Sequence, residues 1–314
     1  MKKFILVSVF VSMFFCLCSC NREDQGSLTD PNNENAAKTP AQEAVVDPSQ
    51  ENNSCKTFTG LKPLKEIKFD VLDPDNKKGL STKGVGYGSG VGKNGAANES
   101  SIVGQEYFKS FGALALDTKS KEKVLYLTFD TGYDEGNMDT ILNILNKKEV
   151  PAAFFIVITY LKTEDGRKMV ARMINEGHIV GNHSTTHRDF SSLSRTQMAK
   201  EIEECDNYLR TKFGYTSPYF RFPMGKYSQS ALDLVKSIGY TSVFWSVAYV
   251  DYYVNKQPSD QEAFNTITSR LHPGAVILLH SISKANVNVL SDVIDWARGQ
   301  GYTFLALSDY KEWK

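Results

Sequence analysis

Cysteine is scarce, with five in 314 residues. Cys16, Cys18 and Cys20 crowd into the N-terminal apolar region, so only Cys55 and Cys205 remain for the body of the chain. That excludes a disulfide framework, and without a CxxC or Cys/His cluster there is no structural zinc knot. Two free thiols and a Cys55–Cys205 bridge are both compatible with the sequence, which does not show proximity. An excess of one charge is also missing. The 36 basic residues balance 36 acidic ones, and without a basic surplus nucleic acid is a poor partner. The chain has no HExxH, so its histidine pair is not that of a zinc protease. The glycine-rich stretch 84–92 has no evident strand before it, no helix after it and no following Gly-Lys-Ser/Thr. It reads as a flexible loop, not a phosphate cradle.

The apolar run Phe4 to Leu17 is shorter than the roughly 20 residues of a membrane span. Behind Lys2 and Lys3 it matches a secretory signal. Leu17-Cys18-Ser19-Cys20 resembles a bacterial lipobox, which makes Cys20 the expected lipid anchor and the first residue after cleavage. A plain signal peptide or an uncleaved anchor helix is the alternative. Residues 20–56 are rich in Asn, Gln, Glu, Asp, Pro and Ser and nearly free of aromatics, which predicts a disordered tether. The expected organisation is a signal at 1–19, the tether at 20–56, an irregular lead-in at 57–120 and a folded body at 121–314.

From Lys121 onward, short apolar runs alternate with amphipathic stretches. Strands are expected at 124–129, 152–158, 178–181, 219–222, 241–247, 275–279 and 303–307. Helices are expected at 138–148, 166–176, 196–213, 229–238, 262–271 and 287–298. Repeated β–α units with continuously apolar strands imply parallel strands covered by helices. About 190 residues is short for a full eight-unit barrel. The expected fold is α/β, a partial or distorted (β/α) barrel, with a doubly wound open sheet as the runner-up. Either places catalytic groups at the carboxyl ends of strands.

The chemistry concentrates in Asn182-His183-Ser184-Thr185-Thr186-His187 and in Thr128-Phe129-Asp130-Thr131-Gly132. Histidines at i and i+4 can point the same way from one helical turn and suit a divalent metal, zinc above all. Such a pair is equally compatible with ordinary helix packing, but a carboxylate at a strand end beside it points to hydrolysis. Aromatics at 11%, including 15 tyrosines, are compatible with sugar-stacking surfaces as well as with core. His178 and His272 read as turn histidines without a role.

Three more stretches fall at strand ends: Arg221-Phe222-Pro223-Met224-Gly225, Trp245 to Tyr252, and Ile277-Leu278-Leu279-His280. In order and kind the five stretches resemble the motifs of the polysaccharide deacetylase family, also called NodB-homology or carbohydrate esterase family 4. The match spans about Lys121 to Leu307. The resemblance implies a NodB-type barrel and a metal-assisted N-deacetylase acting on peptidoglycan glycan strands. It gives His183 and His187 to the metal, Asp130 the role of general base, Arg221 the orientation of Asp130, and His280 the role of acid for the leaving amine. Tyr133, Trp245, Asp251, Tyr252 and Leu278 are expected to line the sugar groove.

The sequence departs from the family pattern at two places. Thr131 stands where a second, metal-binding aspartate is usual. Ala248 stands where many members have an aspartate that orients the acid histidine. Both departures resemble the branch that makes muramic δ-lactam in spore cortex, so N-acetylmuramic acid is the expected target. Deacetylation of N-acetylglucosamine and a catalytically inactive cell-wall-binding lipoprotein are the alternatives.

Overall fold

The computed structural model describes residues 67–133 and 135–310. The expected signal segment, Cys20, the tether and Cys55 lie outside the described residues. The elements follow in chain order. β1 (Val85–Gly86) and α1 (Glu99–Lys109) precede β2 (Val124–Thr131), α2 (Met138–Lys148), β3 (Ala152–Ile156), α3 (Ile158–Leu161), α4 (Glu164–Asn175) and β4 (Ile179–Asn182). Then come α5 (Arg195–Phe213), β5 (Tyr219–Phe220), β6 (Lys226–Tyr227), α6 (Gln229–Ser237) and β7 (Thr241–Ser242). The chain ends on α7 (Asp260–Arg270), β8 (Ala275–His280), α8 (Lys284–Gly299) and β9 (Thr303–Phe304).

The main sheet runs β7-β5-β4-β3-β2-β8, with β9 against the start of β2, and is parallel throughout. Its two ends curl together, because the segment after β7 bridges β8 at Val247↔Ile277. This is a curled, partial barrel, and not the open sheet kept as runner-up. Strand β2 is buried on both faces. Leu125, Leu127 and Phe129 pack toward α2 and α8, while Val124 and Tyr126 face Phe155, Val276 and Tyr310. A strand so placed reads as a continuous apolar run, which is why the sequence revealed it.

The lead-in is more ordered than expected. It contains the 11-residue helix α1, capped by the Asn98 side chain on Ser100 N–H. Phe108 of α1 stacks on Phe244 with ring centroids 4.1 Å apart. Leu114 then bridges Val243 and Leu116 bridges Ala275, so the lead-in staples the seam where the sheet closes. The glycine-rich stretch is not a loose loop either. β1 pairs antiparallel with β6, and the Tyr87 hydroxyl donates to Trp245 O at 2.8 Å.

Several boundaries shift. The strand expected to run to Phe222 is regular only at Tyr219–Phe220, although Arg221 N–H still donates to Asn182 O of β4 at 3.0 Å. The strand expected at 241–247 is regular only at Thr241–Ser242 and continues as isolated bridges. Cys205 is a free thiol buried in the core, its Sγ 3.7 Å from Ile156 O. His178 and His272 sit beside turns as expected, and both are buried.

Candidate active site

Strand register brings the site together. Asp130 at the end of β2 lies level with His280 at the end of β8 and with Phe155 in β3. Phe155 is level with Gly181, which precedes Asn182 and His183. A Cβ on Gly181 would sit 2.6 Å from the Phe155 ring, so glycine there lets that ring pack. The Phe155 ring in turn lies 4.1 Å from the Arg221 guanidinium carbon and forms its floor.

Arg221 is fully buried and its donors are spent in four directions. Nε donates to Val243 O at 2.9 Å, Nη1 to Asp130 Oδ1 at 2.7 Å, and Nη2 to Thr128 Oγ1 at 2.9 Å and Phe244 O at 3.2 Å. Burial pushes the Asp130 carboxyl up, but the charge of Arg221, aided by His183 and His280, outweighs it and leaves the pKa below the usual carboxylate value. Asp130 is therefore an ionised acid held by a fixed cation.

The other Asp130 oxygen, Oδ2, lies 3.4 Å from His183 Nε2. His183 Nδ1 is 2.8 Å from Arg221 O. A carbonyl accepts only, so Nδ1 carries the proton and Nε2 keeps its lone pair. Burial pushes the His183 pKa down to about 4, and burial lowers that of His187 as well. Both rings are neutral near pH 7, the form that binds metals. Their centroids are 4.9 Å apart, edge to face. They do not share a helical turn as the spacing suggested. They sit on a loop after β4, with Ser184 at φ 75° and His187 at φ 55°.

His280 stands beside Asp130 on the neighbouring strand and turns its ring to Asp251. Its Nδ1 is 2.7 Å from Asp251 Oδ1, and its backbone N–H donates to Asp251 Oδ2 at 2.9 Å. Burial lowers the imidazole pKa, but the Asp251 hydrogen bond and charge override it and raise the value above the ordinary one. Asp251 is 1% exposed and is not on the groove wall where the sequence reading put it. It supplies the carboxylate that Ala248 lacks. Asn286, which the sequence did not single out, donates to Asp251 Oδ2 at 2.6 Å and accepts from the Tyr249 hydroxyl.

These groups open into a cleft of about 540 Å³, lined also by Tyr133, Trp245, Tyr252 and Leu278, and by Met224 and Tyr249. Tyr133 is 73% exposed at its mouth. Thr131 does not line the cleft. Its hydroxyl is buried and finds no hydrogen-bond partner.

The donor chemistry fits a divalent cation in part. His183 Nε2 lies 3.4 Å from the Asp130 carboxylate and its ring 4.9 Å from that of His187, but among the described residues no group of three or more His, Cys, Asp or Glu side chains is arranged to hold a metal ion. Thr131, whose side chain does not line the cleft, adds no donor to these groups.

The polysaccharide deacetylase family pattern matches residues 117–243. The peptidoglycan-N-acetylmuramic acid deacetylase PdaA of Bacillus subtilis is 38% identical over 191 residues, covering 60% of this chain and 72% of that protein. The chain belongs to the polysaccharide deacetylase family. As a polysaccharide deacetylase it is a hydrolase of carbon–nitrogen amide bonds. The solved structure of Bacillus subtilis PdaA, a family 4 carbohydrate esterase, superimposes with a TM-score of 0.70 at 32% identity, over 74% of this chain and 98% of that one. A family 4 carbohydrate esterase from Bacillus anthracis gives 0.61 at 33% identity, with the same two shares. Deacetylases of this family are generally metal-dependent, in keeping with the imidazole pair.

Proposed function

We propose that this polysaccharide deacetylase removes the N-acetyl group from peptidoglycan amino sugars, with N-acetylmuramic acid as the sugar attacked. The observation that carries the reading is the gathering of these groups in one cleft. Asp130, held ionised by Arg221, the His183–His187 pair, and His280, backed by Asp251, all line it. The likeness to a relative named for N-acetylmuramic acid supports the choice of sugar, as do Thr131 and Ala248 at the two points of departure.

His183 and His187, with Asp130 beside them, would hold a divalent cation, zinc by the chemistry of the donors. When bound, the cation polarises the acetamide carbonyl and makes water more acidic. Asp130 takes the proton from the attacking water. Arg221 keeps that carboxylate charged and turned toward the cleft. His280 protonates the sugar nitrogen as the C–N bond breaks, because an amine leaves poorly without its proton. Asp251 fixes the Nδ1–H tautomer and raises the basicity of the ring, so the acid is still loaded near neutral pH. Tyr133, Trp245, Tyr252 and Leu278 stack on and flank the sugar.

In this reading the enzyme works outside the cytoplasm, tethered to a membrane by lipid on Cys20, and its product leads to muramic δ-lactam in spore cortex. The signal-like N-terminus and the lipobox support the location. Acetate release from purified peptidoglycan, with and without chelator, tests the activity. Release that chelator stops and zinc restores is expected, and no release with any divalent metal would leave only a glycan-binding role.

A further inference from the structure

The imidazole pair is held by an acid on another element. Glu201 sits on α5, outside every motif, and aims its carboxylate at the loop between the two histidines. Oε2 accepts the backbone N–H groups of Thr185 at 3.1 Å and Thr186 at 2.8 Å. Oε1 accepts the Thr186 hydroxyl at 2.6 Å, and the Glu201 carbonyl accepts the Thr185 hydroxyl at 2.9 Å. The loop needs such a hold, because Ser184 and His187 both have positive φ, a region most L residues avoid. Inside the loop, Ser184 N–H donates to Asn182 Oδ1 and His187 N–H to Ser184 Oγ, both at 2.9 Å. These local bonds close the turn, Ser184 O accepts from Ile158 N–H of α3 at 3.3 Å, and Glu201 ties the Thr185–Thr186 tip to α5. Hydrogen bonds from N–H groups to a carboxylate are among the strong ones.

We propose that Glu201 is a positioning residue for the metal pair. It clamps the amides of Thr185 and Thr186 and thereby fixes the angle at which His187 meets His183. Without it the loop relaxes away from positive φ and the second imidazole swings out of register. The inference rests on the reading of the pair as a metal site.

Gln in place of Glu201 can turn its carbonyl oxygen to both N–H groups and its amide to the Thr186 oxygen, so the isostere keeps the clamp, whereas Ala removes it. In metal-free protein, amide exchange at Thr185 and Thr186 should quicken about tenfold or more in Glu201→Ala and stay near wild type in Glu201→Gln. Zinc affinity, measured by chelator competition, should fall about tenfold or more in Glu201→Ala and stay within about threefold in Glu201→Gln, the scale on which partners behind metal ligands act. In Glu201→Ala, kcat should fall and KM hold. Wild-type exchange and zinc affinity in Glu201→Ala overturn the proposal, as does a Glu201→Gln variant as impaired as Glu201→Ala. If Glu201→Ala does not fold, Thr186→Val carries the test, because it deletes one bond of the clamp. It must weaken zinc while keeping the fold, and wild-type affinity there overturns the proposal. Both readouts need no substrate, so failure to release acetate from peptidoglycan counts against the proposed function and not against this inference.

Discussion

Asp251 grips His280 at two points: one carboxylate oxygen lies 2.7 Å from the ring Nδ1, and the other accepts the backbone N–H of the same residue at 2.9 Å. His280 is thus fixed in orientation and tautomer by one buried side chain. In Asp251→Asn, burial is left to act on the imidazole without the countering charge, so its pKa falls. The protonated acid is then lost at lower pH. The alkaline limb of the kcat profile should move down in pH, and kcat near neutrality should fall roughly 10²-fold, within the range for a lost acid. A pH–rate profile checks this, and an unmoved alkaline limb contradicts it.

Asp130 titrates in the other direction. Arg221 lowers its pKa against burial, so removal of the guanidinium lets burial dominate and the value rise. In Arg221→Met the acidic limb of the profile should therefore move up. The carboxylate loses its partner while buried, at a cost of about 3–5 kcal/mol in stability. Thermal unfolding and the pH profile, measured together, separate the two effects.

Thr131 offers a gain-of-function test. Its hydroxyl is buried and unpartnered beside Asp130. Thr131→Asp supplies a second carboxylate to an incomplete donor set, so zinc should bind more tightly in chelator competition. Unchanged or weaker binding shows that the position does not face the metal.

The cleft mouth should govern binding more than chemistry. Tyr133→Ala and Tyr252→Ala remove exposed rings, and each should raise KM up to about tenfold, the scale of a stacking contact, with kcat nearly unchanged. A fall in kcat with KM unchanged contradicts a stacking role.

His178 makes the fold acid-sensitive. Burial pushes its pKa down to about 3, well under the ordinary histidine value. The unfolded chain then binds a proton between about pH 6.5 and pH 3 that the folded chain does not. Stability is full above that window and is lost as pH falls through it. His178→Leu should flatten the decline in a series of unfolding midpoints against pH.

Much of this was legible in the sequence for a physical reason. β2 and β8 are buried on both faces, so each reads as an apolar run that ends where a polar group meets the cleft. Asp130 and His280 could be found that way, and His183 by its spacing from His187. The helical reading of the histidine pair failed because spacing alone does not report backbone φ, and two left-handed residues bend the segment into a loop. Asp251 was assigned to the wrong surface because side-chain direction after an irregular β7 has no period to read. α1 was missed because it offers only a weak apolar stripe, and its burial depends on Phe244, far along the chain. Glu201 and Asn286 make their contacts across elements, and no local pattern marks them.

The most direct test is the mass of the product. Purified peptidoglycan treated with the zinc-loaded enzyme should yield muropeptides that have lost one acetyl group from the muramic residue, and Asp130→Asn or His280→Ala enzyme should leave the glycan intact. Acetyl loss confined to glucosamine, or acetyl loss that persists in both variants, would contradict the account.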